Sequence, residues 1–239
     1  MCSSAFGNQA PLILRSNQAT KLTNDNFFFT QMNKNVTGSL NLEDNNNNLV
    51  LSFQDSSPIG TIFYNLEKDD RGNQNYYFFN CSKIYFRMPG EHTIDGLDFD
   101  MELQFNCSGV IPGDRSGNSK NAFVSIPVIK VKNYVHQSQF FSDLENLAEL
   151  GQSVTITHFE DAFDSFNMYK QIYFYTGGMN YPQCMIGANW IVVNNSMKIK
   201  EKVYKKLFDM LDKSRIVDGN NRKPSPNSES YYILESNFK

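Results

Sequence analysis

The chain has 239 residues, of which 40% are hydrophobic and 14% aromatic, so it can bury a real core and lacks the charge excess of a disordered protein. A formal net charge of -3 and a pI near 5.6 speak against a surface that tracks phosphates, which needs clustered Lys and Arg, and nucleic acid is not an expected partner. No stretch approaches the roughly 20 consecutive apolar residues of a membrane helix.

In chain order, the N-terminal stretch MCSSAFGNQAPLIL has neither a basic region nor a long apolar segment, so no targeting signal is visible. The cluster DNNNN at 44–48 reads as a turn between apolar runs. Short alternating segments follow: LVLSF at 49–53, GTIFYNL at 60–66, NYYFFN at 75–80, IYF at 84–86, MELQF at 101–105 and AFVSIPVIKV at 122–131. Rich in Val, Ile, Phe and Tyr and bounded by Gly, Asn and Asp, they predict strands. FFSDLENLAELG at 140–151 predicts a helix with a capping box, Ser142 with Glu145, ending at Gly151. KEKVYKKLFDMLDK at 200–213 predicts a second helix, with Val203, Leu207 and Leu211 on one stripe and lysines opposite, read as a solvated face rather than a docking surface. With no linker and no repeat, the expectation is one domain over 1–239, mainly β (α+β), with a large, mostly antiparallel twisted sheet and peripheral helices.

Four cysteines, Cys2, Cys81, Cys107 and Cys184, allow three pairings. N-x-S/T sequons begin at Asn35, Asn80, Asn106 and Asn194, in a chain rich enough in Asn to produce them by chance.

Strand alternation assigns faces between Lys83 and Cys107. Ile84 and Phe86 share one face of their strand, as do Met101, Leu103 and Phe105 of the next. Tyr85, Arg87, Glu102 and Gln104 then fall together on a polar face. By the same parity Cys81 and Cys107 lie on opposite faces, and they are expected to be unpaired.

The segment from Tyr85 to Gln104 resembles the α-carbonic anhydrases, whose pattern is H-x-H, then S-E-H-T-[IV]-x-G, then E-L-H. PGEHTIDG at 89–96 and MEL at 101–103 carry the match. YTGGMNYPQCMIGANW at 175–190 resembles the family's Y-x-G-S-L-T-T-P-P-C-x-E-x-V-x-W segment through Tyr175, Gly177, Pro182, Cys184 and Trp190. QAPLIL at 9–14 and NNRKPSP at 220–226 are smaller matches, while the family's N-terminal W-G-Y segment has no counterpart before Cys2.

The resemblance implies three zinc-binding histidines, and those positions read Tyr85, Arg87 and Gln104. Zinc is held by Cys, His, Asp or Glu, and a permanently cationic arginine repels a dication, so no zinc cofactor is expected. Glu91 and Glu102 match supporting carboxylates, but Asn180 stands where the family has the threonine that contacts zinc-bound hydroxide, followed by Tyr181. Asn106, Phe123 and Met179 align with the substrate pocket, and the proton-shuttle histidine position falls near Asn47. His92 matches a buried histidine that supports the fold. An ion pair between Arg87 and Glu102 is the expected replacement organiser of the cavity. Secreted members of the family often join cysteines at the positions of Cys2 and Cys184, which implies that pairing here and an oxidising compartment.

With three histidines in the chain, His136 and His158 cannot rebuild a metal site elsewhere. The leading expectation is a catalytically inactive carbonic anhydrase-like scaffold, a subunit that contacts other proteins. Two alternatives stand beside it: an active carbonate dehydratase or esterase with an unorthodox site, and an anion or small-ligand binder using Arg87 and Lys83 at the mouth of the former cavity.

Overall fold

Alternation of large apolar and polar side chains puts one row of each strand into a core and the other outward, and thirteen such strands join in one sheet. The structure, a computed structural model, describes residues 10–22, 27–43, 48–53, 59–65, 72, 76–110, 120–147, 149–159, 171–179, 186–211 and 230–235. The N-terminal half supplies β1 (Ile13–Leu14), β2 (Thr20–Lys21), β3 (Phe27–Met32), β4 (Val36–Glu43), β5 (Asn48–Phe53), β6 (Gly60–Asn65) and β7 (Tyr77–Arg87). After the short β8 (Thr93–Ile94) come β9 (Met101–Val110), β10 (Lys120–Val131) and α1 (Gln139–Glu145). The chain continues with β11 (Ser153–Ile156), β12 (Gln171–Gly178), β13 (Ile186–Val193), β14 (Met197–Lys200), α2 (Glu201–Asp209) and β15 (Tyr232–Glu235).

The main path of the sheet runs β11-β4-β5-β7-β9-β10-β13-β12-β15-β2, with β6 on β7, β3 on β6 and β14 on β10. Most pairings are antiparallel, as expected, but β10 runs parallel to both β13 and β14, and β15 parallel to β2, so the sheet is mixed. β1 and β8 form a separate parallel pair.

Two apolar clusters lie on opposite faces. The larger takes Ile84, Phe86, Leu103, Phe105, Val124 and Ile126 from the central strands, and both helices pack on it. α1 inserts Phe140, Phe141 and Leu144. α2 inserts Val203 and Leu207, with Leu211 one turn further, which bears out the predicted stripe. Each side chain so buried is worth about 1.5–3 kcal/mol. The second cluster, on the other face, joins Leu12, Leu14 and Ile94 to Phe123, Tyr173, Tyr175 and Trp190.

Helix limits differ from the sequence expectation. α1 ends at Glu145, and Ser142 is an interior residue whose hydroxyl donates to the Ser138 carbonyl at 3.1 Å, so the capping box is not formed. Gly151 does take a positive φ of 80°, but in a turn after the helix, where its N–H donates to Leu40 O at 2.8 Å. In β9, Gly109 is required by packing: a Cβ there would stand 2.0 Å from the Phe78 carbonyl oxygen.

The expectation for Cys81 and Cys107 is overturned. They face each other in the β7–β9 ladder and form a disulfide across 26 residues. A β-bulge between Cys81 and Lys83 explains the error, because one extra residue in β7 reverses the parity of its side chains. Tyr77, Phe79 and Cys81 before the bulge therefore point into the same cluster as Ile84 and Phe86 after it. Closing such a loop removes about 3 to 4 kcal/mol of chain entropy from the unfolded state. The pairing expected for Cys2 and Cys184 lies outside the described residues.

Candidate functional site

Beyond the bulge, regular alternation sets Tyr85 and Arg87 on the face opposite Ile84 and Phe86. There Tyr85 pairs with Gln104 and Arg87 with Glu102 across the β7–β9 ladder. Ser125 of β10 lies opposite Gln104 on the other side of β9. The turn after β7 then brings Glu91 and His92 over these strands. All of Arg87, Glu91, His92, Glu102, Gln104 and Ser125 are buried, so each polar atom needs a partner from protein.

Glu102 is the hub. Its Oε2 accepts the backbone N–H groups of Glu91 (2.9 Å) and His92 (2.8 Å). Its Oε1 accepts from Gln104 Nε2 at 2.7 Å and Ser125 Oγ at 2.5 Å, and lies 2.8 Å from His92 Nδ1. Burial alone pushes this carboxyl up, but the charge and hydrogen bonds of His92, with the bond from Gln104, outweigh it and hold the group down at about 2. His92 Nε2 meets the Tyr175 hydroxyl at 2.8 Å, so both ring nitrogens are engaged. Its ring also tilts against Trp190, 5.4 Å between centroids. His92 thus has the geometry of a fold-supporting residue.

Arg87 is 2% exposed. Nε donates to Gln104 Oε1 at 3.2 Å, Nη1 donates to Asn48 Oδ1, and the guanidinium carbon lies 5.4 Å from the centre of the Tyr85 ring. Its ionic partner is Glu91, at 3.6 Å, not Glu102 as expected from the sequence. Glu102 is already engaged by His92, Gln104, Ser125 and two backbone N–H groups, whereas Glu91 turns Oε2 to Gln104 at 2.8 Å and Oε1 to the guanidinium. Lys83 departs from expectation too. It is half-exposed and held by Glu43 at 2.8 Å, so it does not join Arg87.

Phe123 is fully buried and stacks on Trp190, with centroids 4.6 Å apart, and Tyr175 stacks on the other side of the indole system at 6.0 Å. The Trp190 indole N–H donates to Gly178 O at 3.1 Å. Met179 is buried in the same cluster. Phe123 and Met179 are therefore packed within a cluster of rings, while Asn106 is half-buried outside it.

Strand alternation in the sequence brings together Tyr85, Arg87, Glu102 and Gln104, and Glu91 joins them from the turn after β7. The sequence reading missed Asn48, assigned to a turn but standing buried at the start of β5, and Ser125, the lone hydroxyl in an otherwise apolar run of β10. Asn180, Tyr181 and Asn47 lie outside the described residues. Ser125, His92 and Glu102 form a trio, yet Ser125 donates to the carboxylate and is sealed from solvent, so it is no nucleophile in waiting. Among the described residues, no cluster of three His, Cys, Asp or Glu side chains is arranged to hold a metal.

Residues 2–230 match the model of the eukaryotic-type carbonic anhydrases. The chain belongs to that family. Bovine (Bos taurus) carbonic anhydrase 6 is 23% identical over 156 residues, covering 62% of this chain and 48% of the relative, so this carbonic anhydrase-like chain matches about half the length of its curated relative. Among solved structures, dioscorin complexed with ascorbate superposes with a TM-score of 0.68 at 20% identity, over 96% of this chain and 86% of dioscorin. A hyperthermostable carbonic anhydrase from an active hydrothermal vent chimney gives a TM-score of 0.64 at 21% identity, over 96% and 88% of the two chains. These likenesses establish the carbonic anhydrase fold.

Proposed function

We propose that this carbonic anhydrase relative is a catalytically inactive scaffold, kept for contacts with other proteins as a subunit of an assembly. The observation that carries the reading is the placement of Arg87: its buried guanidinium stands at a zinc-ligand position of the family motif, bonded to Gln104 and Asn48 and paired with Glu91. A fixed positive charge there opposes a dication, and Gln104 has both ends of its amide engaged by protein groups. Tyr85 cannot make up a three-ligand zinc set with these neighbours. Without a metal, the family's route to a nucleophilic hydroxide near neutral pH is lost.

The disulfide between Cys81 and Cys107 supports an oxidising compartment for the chain. No helix among the described residues is long and apolar enough to cross a membrane.

An anion-binding role for the same cavity has less support. Arg87 Nη2 is a buried donor with no hydrogen-bond partner among the described residues, but its guanidinium already faces Glu91, the Glu102 carboxylate lies in the same cluster and Lys83 is occupied by Glu43, so an incoming anion meets two carboxylates beside that one donor.

The test is elemental analysis of the chain purified with zinc supplied, together with a carbon dioxide hydration assay. Substoichiometric zinc and background hydration are expected. One equivalent of zinc with hydration above background overturns the reading in favour of an enzyme with an unorthodox site.

A further inference from the structure

The lysines of the chain are unevenly placed. Segments 129–136 and 197–213 together hold eight lysines against three acidic residues, in a chain whose formal net charge is -3. The fold brings the two segments side by side. β14 lies parallel on the end of β10, with Lys130 beside Ile199 and Val131 beside Lys200, and α2 starts at the next residue. A turn at Lys132–Tyr134, with Asn133 at a φ of 59°, forms one wall of a groove of ≈ 420 Å³, and Lys200–Lys202 form the other. A second groove of ≈ 450 Å³, lined by Lys202, Lys205, Lys206, Asp209 and Met210, adjoins the first at Lys202.

The charges of this face are only partly balanced within the protein. Lys130 is taken by Asp100 at 3.0 Å. The Glu145 carboxylate serves both Lys200, at 3.8 Å, and Lys202, while its backbone carbonyl accepts from Lys206. Lys132, Lys198 and Lys205 are exposed and have no ion-pair or hydrogen-bond partner among the described residues. Beside the first groove stands Val135, 79% exposed, next to the half-buried Tyr134.

We propose that this face docks an acidic segment of a partner protein, with an apolar side chain set against Val135 and Tyr134. The inference rests on the scaffold reading above and gives its partner a chemistry. A groove with excess positive charge and an apolar lip matches an extended acidic peptide. Nucleic acid suits it less: neither segment contains arginine, the bidentate phosphate reader, and the rest of the chain is strongly acidic. An anionic membrane suits it less as well, because α2 turns Val203 and Leu207 inward and offers no apolar face to insert.

The test titrates the full ¹⁵N-labelled chain with a short oligoglutamate peptide carrying one leucine, and in parallel with a uridine oligonucleotide of equal charge and phosphatidylserine vesicles. The peptide is expected to give saturable, salt-sensitive shifts confined to 132–136 and 198–206. Lys132→Glu with Lys205→Glu, both exposed and unpartnered, should weaken it about tenfold or more while leaving the unfolding midpoint unchanged. Absence of saturable binding, shifts elsewhere, an unaffected variant, or tighter binding of oligonucleotide or vesicles overturns the proposal. None of these outcomes alters the zinc and hydration measurements, so the two readings stand or fall separately.

Discussion

Arg87 and Glu91 are four residues apart, both buried, and meet at 3.6 Å through a turn that folds the end of β7 back over β9. Two opposite charges out of water hold each other in place, and the loss of either leaves the other uncompensated. Glu91→Gln should therefore cost about 3 kcal/mol or more, read from the shift of the denaturant midpoint. Adding Arg87→Met to it should recover part of that loss. A double variant as unstable as the sum of the singles would show that the pair is not coupled.

Arg87→His alone should not create zinc affinity. The new imidazole would be flanked by Tyr85 and Gln104, one ligand where three are needed. Isothermal titration with zinc is expected to show no binding beyond the parent chain, and one tight equivalent would contradict this account of the site.

Acid should weaken the fold through Glu102. Its carboxyl is held down at about 2 in the folded chain against an ordinary value of 4.5. A depressed folded value stabilises fully above the unfolded value and loses that contribution as pH falls from 4.5 toward 2. The difference corresponds to on the order of 3 kcal/mol. Unfolding midpoints of the parent and Glu102→Gln should differ most near neutral pH and converge at the acid end of this window. A constant gap across it would sink the assignment.

Cys81 and Cys107 should resist alkylation in the native chain without reductant and react after reduction and unfolding. Replacing both by alanine should cost roughly 3 kcal/mol from loop closure. Mass spectrometry and the unfolding midpoint check the two parts.

Trp190 is the lone tryptophan, so its emission reports on the ring stack directly. Phe123→Ala removes the ring 4.6 Å from it, at a cost of about 3–5 kcal/mol, and should shift the native emission. A native spectrum identical to the parent's would contradict the packed pocket.

Strands β5, β6, β7, β9 and β10 were legible as aromatic and β-branched runs bounded by Gly, Asn and Asp, and the polar cluster because alternation is regular from Lys83 to Cys107. Parity failed at the one place where the ladder carries an extra residue, and with it the pairing of Cys81 and Cys107. No local composition marks that bulge, since Ser82 is an ordinary exposed strand residue. β4 is hidden although Val36, Leu40 and Leu42 alternate, because Gly38 takes an inward position of the period and leaves a gap in the apolar row. The choice of Glu91 over Glu102 as the partner of Arg87 was also out of reach. It depends on two backbone N–H groups in the turn claiming Glu102 first, a three-dimensional competition that strand faces do not encode.

The Arg87 network also bears on how this chain can change over time. Each of its contacts comes from a different stretch: Asn48 from β5, Gln104 from β9, Glu91 from the turn. A single exchange at 87 strands all three partners at once. A replacement there has to be answered in three separate stretches of the chain, so the position resists change one residue at a time.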